Sequence, residues 1–170
     1  DGDARGTSPA SPGSGTAAPV ARLDPCALLT EAQAGELLAG SPKPDGKACV
    51  WQDTATVKIK ATGYPGDATA KDTMALYRRQ AASDAGDSED VMTTTSTSAV
   101  RAVPGLGDEA FAQDTGTASE FGDSATTVVW ARRGRYVLQV DYRMPGRPEV
   151  TGEVRAQAAG ATRHALANLP

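Results

Sequence analysis

The sequence predicts an α+β domain in which an antiparallel β-sheet packs against helices, in the order α-β-β-α-β-β-β-β-α. Three observations carry that reading. Period-2 alternation in TVKIKAT and RYVLQVDYRM marks half-buried strands. Helical periodicity is confined to one segment near the start, one in the middle and one at the end. The pattern contains no alternating strand–helix–strand units and no internal repeat, which argues against a parallel sheet.

The elements follow in order. Residues 1–22, DGDARGTSPASPGSGTAAPVAR, hold almost only Gly, Ala, Ser, Thr, Pro and a few charges. Such a stretch buries too little apolar surface to offset its ordering entropy, so a flexible tether is expected there and a single domain over 23–170. Asp24-Pro25 sets an N-cap before a proline at the first helical position. Thr30 to Gln33 fits a capping box, and the helix it opens should turn Leu37 and Leu38 inward and stop at Gly40. SPKPDGKA reads as a loop. ACVWQD and TVKIKAT read as strands joined near Asp53-Thr54, with Val57, Ile59 and Ala61 on the buried side. Asp67 to about Ala82 reads as a helix whose stripe is Ala70, Met74, Tyr77 and Ala81. Residues 83–99 are polar and poorly patterned. Val100 and Val103 close a strand before the turn in PGLGDEAF. AFAQD, ATTVVWAR and RYVLQVDYRM then form a meander, the last two joined by a hairpin at Arg133-Gly134. The final helix carries Val150, Val154, Ala158, Ala161, Ala165 and Leu169 in register for burial.

Composition excludes some functions. A hydrophobic content of 39% suffices for a core, and a net charge of −4 argues against a nucleic-acid binder, which needs a basic face to displace counterions. No apolar run approaches the ~18 residues of a membrane helix. The chain starts without methionine or signal peptide, as expected either of a processed product or of a trimmed sequence.

Candidate chemistry is sparse. Cys26 and Cys49 are the two cysteines, too few for a four-ligand zinc site and not spaced C-x-x-C. A disulfide between them is the preferred reading and two free thiols the alternative. The bridge would close a loop of about 24 residues, worth about 3 kcal/mol in chain-entropy terms. Gly105-Leu106-Gly107-Asp108-Glu109-Ala110 formally matches a dinucleotide fingerprint, yet a period-2 stretch follows where a helix is required. Gly105, Gly107 and Asp108 therefore read as a tight structural turn. His164 is the sole histidine, and it reads as a solvated residue of the last helix with no nucleophile motif to partner it. Asp84, Asp87, Glu89 and Asp90 lack the spacing of an EF-hand and read as a mobile acidic loop. Arg132, Arg133 and Arg135 surround the hairpin and read as exposed, the best guess for a charged recognition spot. TTTSTS is a plain polar loop or a site for sugars. Catalytic residues, a metal and a cofactor are not expected.

The pattern D-P-C-x-L-L, then C-x-W, then P-G-L-G-D-x-A-[FY], then a terminal helix resembles a family of actinobacterial cell-envelope lipoproteins of unknown function. The matching residues are Asp24-Pro25-Cys26, Leu28-Leu29, Cys49, Trp51 and Pro104 to Phe111. The resemblance spans about residues 23–169. It implies a Cys26–Cys49 disulfide, export, and a lipid-modified cysteine just upstream of the tether, with Asp1 at or near the residue after it. The family brings no catalytic residues to carry over. The expectation is a monomeric, non-enzymatic, extracytoplasmic module, in contact with the membrane only through a removed N-terminal lipid anchor and recognising a cell-envelope protein. A small-molecule carrier or sensor with a cleft between sheet and helices is the second expectation, and an enzyme the third.

Overall fold

A computed structural model describes residues 22–170. The tether expected over 1–22 lies outside the described residues except for Arg22. Among the described residues a 3-10 turn (Pro25–Leu28) leads to α1 (Glu31–Glu36), β1 (Pro42–Asp45), β2 (Ala48–Gln52), β3 (Thr56–Gly63) and α2 (Asp67–Ser83). Then come β4 (Gly86–Glu89), β5 (Thr93–Thr97), the two-residue β6 (Arg101–Ala102), β7 (Glu109–Ser119), β8 (Ser124–Arg133), β9 (Tyr136–Pro145) and α3 (Gly152–Ala167). The strands form one sheet in the order β1-β2-β3-β9-β8-β7-β5-β4, with β6 also on β7, and every pairing is antiparallel. The predicted class holds, with strands added at both edges.

Side-chain alternation along the central strands makes two cores. Leu138, Val140 and Tyr142 of β9 point with Val129 and Ala131 of β8 into a core closed by the 3-10 turn, α1 and α3. Val137 and Phe111 point to the other face, under Ala70, Met74 and Ala81 of α2. The α3 stripe is small, so that helix can lie close to the sheet, and Val154, Ala158, Ala161 and Ala165 are all buried. Trp130 stacks on Phe111 with ring centroids 4.9 Å apart, and the Arg78 guanidinium lies 5.6 Å from the Phe111 centroid.

The helix starts follow the sequence closely. Asp24 accepts from the Cys26 N–H at 2.9 Å, and Thr30 and Gln33 close a reciprocal capping box. The end of α1 differs from expectation. Leu38 takes φ +57° and is partly exposed, while Leu37 alone is buried. The Ala39 N–H reaches the Ala34 carbonyl and the Leu38 N–H that of Gly35, so the left-handed residue sits two positions earlier than Gly40. Gly40 is small for another reason: a Cβ there would run into the Gln52 carbonyl.

Both edges of the sheet are strands where the sequence pattern predicts none. SPKPDGKA is a hairpin: β1 pairs with β2 through a turn at Gly46, φ +60°. Residues 83–99 hold a second hairpin, β4–β5, in which Thr93, Thr95 and Thr97 face one way. All four residues of β1 and of β4 are exposed, so neither strand carries an inward apolar set that alternation could reveal. Cys26 and Cys49 are joined, with Cα atoms 5.1 Å apart. The bridge ties the 3-10 turn to β2, where Cys49 and Trp51 are wholly buried on one strand face.

Candidate functional site

β8 connects two regions of opposite character. At its Arg133 end, the glycine turn and the arginine hairpin form one assembly. Gly105 and Gly107 have φ of +79° and +62°, and a Cβ on Gly107 would run into the Arg132 carbonyl. The Asp108 N–H donates to that carbonyl at 2.7 Å, and the Asp108 carboxylate accepts from the Gly134 N–H at 2.6 Å. The turn read from Gly105, Gly107 and Asp108 is therefore the clamp of the β8–β9 hairpin. β7 begins at Glu109, so no helix N-terminus follows the glycines.

Arg132 corrects the expectation of three exposed arginines, because it is 5% exposed. Its Nε donates to Glu109 at 2.9 Å and its Nη1 to the Gly134 carbonyl at 2.8 Å, with Asp108 at 3.3 Å and Asp67 also in contact. Burial alone would lower its pKa, but Glu109, Asp67 and Asp108 outweigh burial and raise it. Lys71, then Arg132, hold the Asp67 carboxyl below its ordinary value against partial desolvation. Asp67 also opens α2, where a carboxylate suits the helix dipole. Arg133 donates to the Leu166 carbonyl at 2.6 Å and caps the end of α3. Arg135 lies 5.4 Å from the Tyr136 ring centroid.

Midway along β7 sits a buried carboxylate that the sequence reading passed over. Asp114 is 5% exposed and accepts from Thr127 at 2.8 Å, Arg101 at 3.1 Å and Arg155 at 2.7 Å. Desolvation pushes its pKa up, yet Thr127, Arg155 and Arg101 together bring it below the ordinary carboxylate value. The Arg101 Nε is buried without a partner. Beside Asp114 runs an open cleft of about 470 Å³, lined by Thr94, Ser96, Ala118, Pro148, Val150 and Arg155. A Cβ on Gly116 would meet the Pro148 carbonyl, so the segment before α3 passes directly over β7. The available signal was an acid at an inward position of AFAQD.

At the Ser124 end, β4, β5 and the outer parts of β7 and β8 extend as a wing. Val91 is 97% exposed, Phe121 83% and Met92 47%. They occupy adjoining hairpin tips, since Thr93 pairs with Ser119 and the Glu120 N–H donates to the Met92 carbonyl. Of the four acids expected on a mobile loop, Asp84 caps the end of α2 and the other three belong to this hairpin: Asp87 accepts from Ser96 at 2.6 Å, and Asp90 from the N–H groups of Met92 and Thr93. Among the described residues no group of three or more His, Cys, Asp or Glu converges as a metal site. His164 is partly buried on α3, with its Nε2 3.5 Å from a carboxylate oxygen of Glu36 on α1. Arg22 to Cys26 lie beside Ala61 to Gly63, and the Tyr64 N–H donates to the Arg135 carbonyl. The described chain thus enters at the arginine end, away from the wing.

No family model matches the chain, and no curated protein matches it in sequence, so the lipoprotein-family resemblance has no family match behind it. The crystal structure of the extracellular domain of PknH from Mycobacterium tuberculosis is similar in fold, with a TM-score of 0.51. The two are 10% identical, over 80% of this chain and 69% of that chain. That likeness shows a shared fold.

Proposed function

We propose that this chain is an exported, non-enzymatic recognition domain of the cell envelope, carried on an N-terminal tether and lipid anchor, and that it docks an envelope protein through its wing. The observation that carries the reading is the exposure of Val91, Met92 and Phe121 together on two adjoining tips. Large apolar side chains grouped at one exposed place mark an interaction surface more than scattered ones do. Export is supported by the Cys26–Cys49 bridge, which persists in oxidising compartments, and by the fold shared with an extracellular domain. The entry of the chain at the opposite end of the sheet supports a wing held away from the anchor.

Photo-crosslinking in intact cells tests this reading. A crosslinker replacing Phe121 is expected to capture one defined envelope protein, and the same group at the partly exposed Leu76 of α2 none. Equal capture at both positions, or none at Phe121, overturns it. A second reading, a small-molecule carrier, is supported by the cleft beside Asp114. Its mark would be a thermal shift with envelope metabolites that is lost in Ala118→Trp, a substitution aimed into the cleft.

A further inference from the structure

The two edges of the sheet are guarded differently. β1 carries Pro42 and Pro44, which have no N–H. β1 remains paired with β2, so these prolines present their nitrogens to the free side, where they refuse any added strand. β4 has no proline. It ends the sheet order with β5 on one side and, among the described residues, nothing on the other. Its side-chain charges are Asp87 and Glu89. Acids on an edge repel another acidic edge, a second copy of this one included, but they attract a basic strand.

The surroundings carry the same sign. Residues 84–98 and 115–124 contain Asp84, Asp87, Glu89, Asp90, Glu120 and Asp123 and not one Lys, Arg or His. The flanking cations are Arg155, already paired with Asp114 beside Thr94 and Ser96, Arg143 of β9, opposite Thr126 of β8, and Arg147 beyond Pro145. An anionic lipid surface would be repelled by such a face, which weighs against insertion of the apolar tips into a membrane. Resting on the recognition reading above, we propose that the free edge of β4 takes up an extended Lys/Arg-bearing segment of a partner protein as an added strand. Past the Glu89 end of β4 the segment continues across the adjoining tips, where Val91, Met92 and Phe121 receive its apolar side chains. Backbone hydrogen bonds would supply the attachment, and the acids and apolar tips the selectivity.

Fluorescence anisotropy with three labelled octapeptides tests the proposal: alternating Lys and Val, alternating Glu and Val, and the Lys/Val peptide N-methylated at every residue. The Lys/Val peptide is expected to bind, the Glu/Val peptide not. N-methylation should weaken binding at least about tenfold, because the donors of both strand edges are lost. Replacing Asp87→Lys together with Glu89→Lys should reverse the preference between the two charged peptides. Both sites are exposed, and circular dichroism checks that the variant folds. Unchanged binding after N-methylation, an unreversed preference, or tighter binding to phosphatidylglycerol vesicles than to peptide overturns the proposal. The crosslinked segment separates this failure from that of the recognition reading. A captured envelope protein joined through a segment lacking Lys and Arg overturns the strand proposal alone, whereas absence of capture at Phe121 overturns both.

Discussion

The two ends of β8 both gather acids and use them in opposite ways. At the arginine end the charges are paired: Arg132 is enclosed by Asp67, Asp108 and Glu109, and Arg133 caps α3. At the wing end the acids stay on the surface and the apolar side chains stand in solvent. The difference lies in what packs nearby. The N-terminus of α2 and the glycine turn both arrive at the arginine end and bring acids with them, whereas no described helix covers β4. A charged turn is therefore a poor sign of a binding surface unless its partners are known, and an uncompensated one is a better sign.

The largest effect should come from Arg132→Met. It leaves Asp67, Asp108 and Glu109 facing one another without their cation, although these acids are about half-exposed and water can take up part of the charge. The expected loss is about 3 kcal/mol, at the lower end for breaking a buried ionic cluster, read from the urea midpoint. Arg132→Lys should recover only part, since an ammonium cannot reproduce the fork. Next come two glycines with nearly equal φ. Gly107→Ala should cost about 2 kcal/mol or more, from backbone strain plus the Arg132 carbonyl in the way, and Gly134→Ala only about 1, because the space there is open.

Asp114→Asn should cost about 1–2 kcal/mol at neutral pH, by weakening the charge-assisted bonds from Arg101 and Arg155. Its folded pKa lies below the ordinary 3.8, so the carboxylate's contribution is present above that pH and lost as pH falls through the folded value. The gap between Asp114→Asn and the unmutated protein should accordingly close in acid, as thermal melts across pH would show. The smallest stability effect belongs to the wing. Val91→Ser combined with Phe121→Ser should change stability by less than about 0.5 kcal/mol. A larger loss would mean that the tips support the fold rather than stand free of it.

The central sheet was legible because its signals are local. Val57 and Ile59, or Leu138 and Val140, alternate visibly, and Asp24, Thr30 and Gln33 sit beside the helix starts they cap. The glycine turn was legible as a turn, but its purpose was not, since it closes on Arg132, a distant stretch of chain. Arg132 was misread for the same reason: Asp67 lies 65 positions away in the sequence and Asp108 lies 24. Asp114 likewise gathers Arg101, Thr127 and Arg155 from three separate elements. The edge strands failed differently. PKPD and GDSE lack any inward face, so nothing in their periodicity distinguishes a strand from a loop. The apolar tips were visible as V-M among acids and as E-F-G-D, and only the fold brings them side by side.

Hydrogen exchange with the partner captured at Phe121 added back tests the central claim most directly. Protection should appear at the amides of 86–92 and 117–122 and leave those of 132–136 unchanged. New protection centred on the Arg133–Arg135 turn, with the wing still exchanging freely, would contradict the assignment of docking to the wing.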